Sequence, residues 1–211
     1  AVRPAIFPSV PRLFNESYSA LKARFDSATG CKRWMLDAGL SAKIANLKSD
    51  GSVHHFCYDK LIFSKVAAML GGNVKMMATG SAPIEQAVLD FLKVCFSCPI
   101  VEGYGLTETA GAGCVTLEED TVSGHCGGPK EQLKMRLKSL PEMEYMVEDK
   151  PFPRGELLLK GVPIFKGYYK NPGKTSECFD HDGWFQTGDV VQIYPNGSIK
   201  IIDRSKNIFT L

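Results

Sequence analysis

Between residues 74 and 109, two short apolar segments each end in a polar, glycine-containing loop, and a stretch of helical periodicity separates them. Segment 74–78 ends in the loop 80–83, where Ser81 is a good helix cap, and segment 99–101 ends in 103–109. A strand–helix–strand crossover of this length normally makes its two strands parallel. Both loops would then lie at the carboxyl ends of the strands, where open α/β sheets bind ligands.

After about residue 115, helical periodicity gives way to short β-like runs that alternate with glycine and proline. We predict an α/β subdomain over 1–115, a small antiparallel sheet or partly open barrel over 116–203, and the start of a hinge over 204–211. A two-residue turn at Asn196-Gly197 would pair the flanking strands and place Asp189 opposite Arg204, with Cβ atoms about 5 Å apart.

The composition excludes several classes of protein. The chain has 211 residues and a net charge of +2, with acidic and basic residues interleaved, so it lacks the basic face that nucleic acid requires. It contains no apolar run long enough to span a membrane and no signal peptide at its start. Its seven cysteines are an odd number in a chain too large to need disulfides. We therefore expect a cytoplasmic protein, or one held at the cytosolic face of a membrane.

The loop from Gly103 to Thr109 is the strongest candidate site. Gly103 and Gly105 would let a ligand approach the backbone, and Tyr104 between them offers a flat face for stacking. Thr107 and Glu108 supply a hydroxyl and a carboxylate, the oxygen ligands that a phosphate-bound Mg²⁺ prefers. From the residues alone, the alternative of a glycine-rich turn with a solvated glutamate remains open.

Asp189 is the second candidate, because a carboxylate at a strand end can accept the hydroxyls of a ribose. An ion pair with Arg204 is the alternative, and the two are compatible. The CxxC spacing of Cys95 and Cys98 does not indicate a metal site, since Cys95 lies on an apolar helix face and no second pair exists. The four histidines likewise lack metal-site spacing, and there is no GxSxG motif.

Four motifs in order resemble those of the adenylate-forming enzymes. They are GSAP (80–83), GYGLTET (103–109), DGWFQTGD (182–189) and IKIIDRSKN (199–207). Within that superfamily, the stretch from 182 to 207 is similar to the signature of fatty acyl-CoA synthetases. PSVPRLFN (8–15) and PEMEY (141–145) resemble the long-chain eukaryotic branch.

The resemblance implies roles for individual residues. Tyr104 would stack on adenine, Thr107 would contact the α-phosphate, and Glu108 would help to hold Mg²⁺. Asp189 and Arg204 would hold the ribose. The remaining nucleotide-site residues would be Gly80, Ser81, Ala82, Pro83, Gly103, Gly105 and Lys206, with Asp203 at a hinge.

The implied reaction joins a long-chain fatty acid to coenzyme A at the expense of ATP. The carboxylate first forms an acyl-adenylate with release of pyrophosphate, and the coenzyme A thiol then displaces AMP. The family's phosphate loop would precede Ala1 and its lysine-bearing C-terminal domain would follow Leu211. We therefore expect a fragment that is inactive by itself and self-associates through exposed apolar surface.

Two other interpretations remain. The chain could be a non-catalytic nucleotide-binding or interaction module that kept the fold, or part of a ligase of the same superfamily that acts on another carboxylate. The presence of Thr107, Glu108, Asp189 and Arg204 argues against a module that has lost its site.

Overall fold

The computed structural model describes residues 3–205, which form two compact units. Of the described residues, the first unit contains 3–102 and 117–124, and the second contains 103–116 and 125–205. The sequence placed the boundary at about 115. The contacts divide the chain within a strand instead, so the loop 103–109 belongs to the second unit.

The first unit is an α/β layer. Strand β1 (Ile6–Pro8) pairs in parallel with β2 (Met76–Gly80), and the next strand in the sheet is β3 (Ile100–Leu106). The helices are α1 (Pro11–Asp26), α2 (Gly30–Asp50), α3 (Phe56–Tyr58), α4 (Ser64–Ala67) and α5 (Gln86–Phe96). A π-helical turn (Asp59–Phe63) joins α3 to α4.

Helix α5 is the centre of this unit's core. Leu89, Leu92, Val94 and Cys95 are all fully buried. Because burial extends around nearly the whole helix, α5 is a core helix rather than a surface helix with one apolar face. The burial of Cys95 on it agrees with the apolar role predicted for that thiol.

The structure defines where three helical segments begin, and the cap predicted at Ser81 is wrong. Helix α1 begins after Val10, and the Ser9 amide before it donates to Ala78 O in β2. Helix α5 begins after Glu85, since Ser81 has a φ of 73° and Pro83 keeps the chain extended just before it. Asp59 lies inside a helical stretch that starts after His55.

The second unit contains two groups of strands. Strand β4 (Gly111–Val115) pairs antiparallel with residues 103–106 of β3, and β5 (Gly128–Pro129) pairs antiparallel with β4. A second sheet has the order β6 (Leu133–Lys138), β7 (Arg154–Gly161), β8 (Phe185–Ile193) and β9 (Ile199–Arg204), antiparallel throughout, and a short helix α6 (Pro172–Glu177) precedes β8. The predicted parallel α/β part followed by an antiparallel sheet is confirmed, and the described strands form no closed barrel.

The core of the second unit packs Tyr104 against the interior face of the antiparallel sheet. Leu157, Leu159, Val191 and Ile199 are fully buried in the same cluster. Within residues 3–205, no helix combines the length and the apolar character that crossing a bilayer requires.

Candidate functional site

Asp189 is held in place by an irregularity in strand β8. The pairing of β7 with β8 shifts between Glu156 and Leu158, so that Thr187, Gly188 and Asp189 together face a single residue of β7. Thr187 donates its hydroxyl to Leu157 O at 2.8 Å. Bulges of this kind bend a strand and re-aim its side chains.

The bulge is braced by side chains as well as by the ladder. The Gly188 amide donates to Glu156 Oε1 at 3.0 Å, and the Asp189 amide donates to Thr187 Oγ1 at 3.1 Å. Gly188 has a φ of 75°, a left-handed conformation that side chains disfavour. The backbone under Asp189 is therefore fixed before any ligand is considered.

Both oxygens of the Asp189 carboxylate have partners. Tyr104 Oη donates to Oδ2 at 2.7 Å, and Arg204 Nε donates to Oδ1 at 3.0 Å. The Asp189 side chain is 4% exposed, whereas that of Arg204 is 63% exposed. Burial, and then the neighbouring Asp189 charge, raise the pKa of Tyr104 above its usual range, so the phenol keeps the proton that it donates.

The buried Asp189 carboxylate thus holds the guanidinium of Arg204, whose side chain is exposed to solvent. Arg204 uses its Nε on Asp189, and among residues 3–205 its two terminal guanidinium nitrogens have no hydrogen-bond acceptor, so they can donate to another partner. The expected ion pair between Asp189 and Arg204 is present. The ring of Tyr104, predicted to stack on adenine, is 8% exposed and belongs to the core of the unit.

The pairing of Asp189 with Arg204 is correct, but the predicted turn is wrong. Gly197 N donates to Tyr194 O and Tyr194 N donates to Ser198 O, which makes a three-residue turn with Gly197 at a φ of 82°. That turn shifts the pairing by one residue. A bulge between β8 and β9 shifts it back, and Asp189 again lies opposite Arg204.

Thr107 and Glu108 lie on a tight 3₁₀ turn (Thr107–Thr109) that follows β3. Thr109 closes the turn, since its Oγ1 accepts from Leu106 N at 2.8 Å and lies 2.6 Å from Gly111 O, within donating distance. Thr109 is buried, whereas Thr107 is exposed and Glu108 is half-buried. Thr107 and Glu108 are therefore the accessible polar groups of the turn.

Glu108 is contacted by a distant segment of the same unit. Tyr168 Oη donates to Glu108 Oε1 at 2.7 Å, and Phe165 N donates to Glu108 O at 2.8 Å. The hydrogen bond to Glu108, together with burial, raises the pKa of Tyr168 to about 12. One carboxylate oxygen of Glu108 is thus held, and within the described part of the chain Oε2 has no hydrogen-bond partner.

The structure gives Gly105 a different reason from the one predicted. A Cβ atom on Gly105 would lie 1.9 Å from Gly111 O, so the glycine is required by the close approach of strands β3 and β4. Residues 103–106 are accordingly strand rather than loop. That Gly105 also lets a ligand approach the backbone stays a prediction.

The other predicted residues are placed separately. Gly80, the last residue of β2, is half-buried, and Ser81, Ala82 and Pro83 after it are exposed in the first unit. Lys206 lies outside the described residues. The Glu108 carboxylate and the Thr107 hydroxyl supply oxygen, the ligand atom that Mg²⁺ prefers. Residues 3–205 contain no group of three or more His, Cys, Asp or Glu side chains that could hold a metal ion.

Sequence reasoning missed Tyr168, Thr109, Thr187 and Glu156. Thr109 was visible as a hydroxyl three residues after Leu106, a spacing that can close a turn. Nothing in the sequence points from Tyr168 to Glu108, because 60 residues separate them.

Comparison with known proteins identifies relatives over the whole chain. The model of the family described as AMP-binding enzyme matches residues 1–169. The chain is 41% identical over 210 residues to the peroxisomal long chain acyl-CoA synthetase 7 of Arabidopsis thaliana, and 41% identical over 210 residues to the human long-chain-fatty-acid–CoA ligase 1. Both alignments cover 100% of this chain, which spans 30% and 29% of those relatives' lengths.

Solved structures agree. The chain superposes on the adenylation domain of a carboxylate reductase from Mycobacterium chelonae with a TM-score of 0.71 and 29% identity, over 97% of this chain and 28% of that one. The corresponding domain from Segniliparus rugosus, solved with AMP and a co-purified carboxylic acid, gives a TM-score of 0.68 and 29% identity over the same shares. The resemblance drawn from the four motifs is confirmed, and the chain belongs to the AMP-binding enzyme family.

Proposed function

We propose that this chain forms part of the nucleotide site of a ligase that activates long-chain fatty acids with ATP and transfers them to coenzyme A. The observation that carries the proposal is the cluster at Asp189, where a buried carboxylate holds an exposed guanidinium from Arg204. A guanidinium with free donors suits ribose and phosphate oxygens. The 41% identity to long-chain acyl-CoA synthetases supports the substrate class.

The chemistry needs positioning more than covalent participation by the protein. A fatty carboxylate oxygen attacks the α-phosphorus of ATP, the bond to pyrophosphate breaks, and an acyl-adenylate forms. The coenzyme A thiol then attacks the acyl carbon, loses its proton, and AMP leaves with the bonding electrons. Groups that offset charge on the phosphoryl oxygens account for most of the acceleration in such transfers.

Each accessible group takes one part of this task. Arg204 and Asp189 hold the ribose, with Tyr104 fixing the orientation of Asp189. The exposed Thr107 hydroxyl donates to an α-phosphate oxygen. A bound Mg²⁺ would neutralise phosphate charge, and Glu108, with one oxygen held by Tyr168, would present the other oxygen to it. Gly80 to Pro83 and Lys206 complete the proposed nucleotide contacts.

The test is product formation by the complete gene product. Incubated with ATP, Mg²⁺, palmitate and coenzyme A, it should release AMP and pyrophosphate and form palmitoyl-CoA, identified by mass spectrometry. Omission of palmitate should abolish AMP release. Asp182→Ala is the control for Asp189→Ala, because it makes the same substitution at a nearby aspartate on the surface. The Asp182 side chain is 54% exposed, whereas that of Asp189 is 4% exposed.

The same assay separates the alternatives. Activity with short or aromatic acids but none with palmitate would favour a ligase of another carboxylate, as the similarity to carboxylate reductase domains allows. If the protein binds nucleotide but releases no AMP from ATP with any of the acids tested, a non-catalytic module would be favoured. The 211-residue chain, assayed alone, should release no AMP, and we expect it to self-associate through exposed residues such as Phe56 and Val162.

A further inference from the structure

The segment 165–168 holds Glu108 at two points. Phe165 N donates to the backbone oxygen of Glu108 at 2.8 Å, and Tyr168 Oη donates to its Oε1 at 2.7 Å. The first bond fixes the backbone of the turn, and the second fixes the side chain. A glutamate side chain otherwise rotates about several bonds, so the two hydrogen bonds together restrict the positions that the Glu108 carboxylate can take.

Tyr168 is itself held rigidly. Its amide donates to Thr175 Oγ1 at 2.9 Å, and its ring meets the Phe165 ring edge to face at a centroid distance of 4.9 Å. Thr175 donates in turn to Asn171 O at 2.9 Å, and the Asn171 side chain caps helix α6. The Tyr168 hydroxyl is therefore a donor whose position is fixed by Thr175 and Phe165.

The glycine before Tyr168 belongs to the same arrangement. Gly167 has a φ of 147°, and a Cβ atom there would lie 2.6 Å from Thr175 Cγ2. A side chain at this position would push Thr175 away from the Tyr168 amide.

Tyr169, which follows Tyr168 in the chain, is 88% exposed, and its ring lies beside Lys170.

We propose that Tyr168 is a positioning residue for Glu108: it occupies Oε1 so that Oε2 faces the cation of a metal–nucleotide complex. This inference rests on the proposed function, because it gives the Tyr168 phenol a task only if Glu108 contacts that cation. Partners that orient a metal-binding side chain typically change metal affinity or activity roughly 10- to 100-fold when they are removed.

The test compares Tyr168→Phe with Tyr169→Phe in the complete gene product. Tyr168→Phe removes one oxygen atom and keeps the ring against Phe165, whereas Tyr169→Phe makes the same change at an exposed site. Mn²⁺ binding to the ATP-loaded protein is titrated by electron paramagnetic resonance. We expect Tyr168→Phe to weaken it roughly 10-fold or more and Tyr169→Phe to leave it unchanged.

A double-mutant cycle identifies the route of the effect. If Tyr168 acts through Glu108, Tyr168→Phe should change kcat by less than about 2-fold in a Glu108→Ala background, against roughly 10-fold in the wild type. The KM for palmitate should stay unchanged in Tyr168→Phe. Multiplicative effects, unchanged Mn²⁺ affinity, or a Tyr168→Phe protein unfolded at the assay temperature would each overturn the positioning role.

The outcomes separate this inference from the function on which it rests. If the wild-type protein forms no acyl-CoA with any acid, the proposed function fails and the inference falls with it. If the wild type is active and Tyr168→Phe matches it in Mn²⁺ affinity and kcat, the inference alone is wrong.

Discussion

Tyr104 donates its hydroxyl proton to Asp189 Oδ2 at 2.7 Å, although 85 residues separate the two in the chain. The bond joins the end of β3 to the bulge in β8, within the core of the second unit. Because Asp189 is buried, the phenol both satisfies a carboxylate oxygen and fixes its direction.

Tyr104→Phe should therefore destabilise the second unit. Removing a hydrogen bond to a buried charged acceptor costs about 1.5–3 kcal/mol. Tyr145→Phe is the matched control, since Tyr145 donates to Asp203 at 3.2 Å from a more exposed position. Urea unfolding followed by circular dichroism measures both, and equal losses in the two variants would contradict the special role of the Tyr104 bond.

Lys43 should be the most sensitive charged residue of the first unit. Its side chain is fully buried, and its Nζ donates to Asp59 Oδ1 and to Ser97 Oγ, each at 2.6 Å. Burial lowers the pKa of Lys43, and the hydrogen bond and the charge of Asp59 oppose that shift. Lys43→Met keeps the apolar stem but leaves Asp59 without its cation, so we expect a loss of roughly 3 kcal/mol.

The control for Lys43→Met is Arg12→Ala. Arg12 pairs with Glu16 on the surface, where the side chains are 89% and 58% exposed. Exposed pairs contribute about 0–1 kcal/mol, so thermal melts should show little change. If Lys43→Met had the same melting temperature as the wild type, the buried pair of Lys43 and Asp59 would contribute no net stability.

Stability should fall in acid partly through Asp59. Burial opposes the charged form of Asp59, but hydrogen bonds from Lys43 and from the His55 amide outweigh it and hold the pKa of the carboxyl below its usual 3.8. The unfolded chain therefore takes up the proton first as pH falls. The stabilisation is complete above pH 3.8 and is lost as pH falls through the lower folded-state pKa.

Asp59→Asn tests this dependence, because the amide cannot titrate. The difference in unfolding free energy between wild type and variant should be large at pH 6 and shrink below pH 3.8. Urea titrations at several pH values measure it. A difference that stays constant across this range would show that Asp59 does not carry the effect.

Gly105→Ala should disrupt the β3–β4 pairing. The added Cβ would lie 1.9 Å from Gly111 O, which is backbone and cannot move without breaking the local register. Gly173→Ala is the control, since nothing lies within 4 Å of a Cβ there. Overpacking costs about 1–3 kcal/mol, so the melting temperature should fall for Gly105→Ala only. A soluble Gly105→Ala protein with wild-type melting would refute the close approach.

The sequence predicted elements well and local geometry poorly. The α/β part and the antiparallel sheet follow from apolar patterning, which burial enforces. The pairing of Asp189 with Arg204 was predicted instead from a two-residue turn at Asn196-Gly197, and the structure has that pairing. The two-residue turn itself was a wrong prediction. The pairing was still right because the three-residue turn shifts the register by one residue and the bulge shifts it back, and apolar patterning cannot distinguish this combination from a simple turn.

The candidate site shows the same limit. Glu108 and Asp189 were found because carboxylates near glycine are visible in a single segment. Their partners Tyr168 and Tyr104 reach them from 60 and 85 residues away, and such contacts depend on the completed fold. Helix α5 could not be capped at Ser81, since Pro83 excludes helical geometry just before it.

The final prediction separates Asp189 from Glu108 in the complete gene product. If Asp189 holds ribose equally in the ground and transition states, Asp189→Ala should mainly raise the KM for ATP, by roughly 10- to 150-fold for a loss of about 1.5–3 kcal/mol. Asp189→Ala also leaves the Tyr104 hydroxyl and Arg204 without their acceptor, so its folding must be checked by circular dichroism.

Glu108→Ala should behave differently, because Glu108 acts where charge redistributes on the phosphoryl group. Removing one such electrostatic stabiliser typically lowers kcat about 10²-fold or more. Extra Mg²⁺ should restore only part of the loss, since the cation would bind without its fixed carboxylate. Steady-state kinetics at several Mg²⁺ concentrations decide between the roles. If Glu108→Ala kept wild-type kcat and raised only the KM for ATP, the metal-positioning role of Glu108 would be wrong.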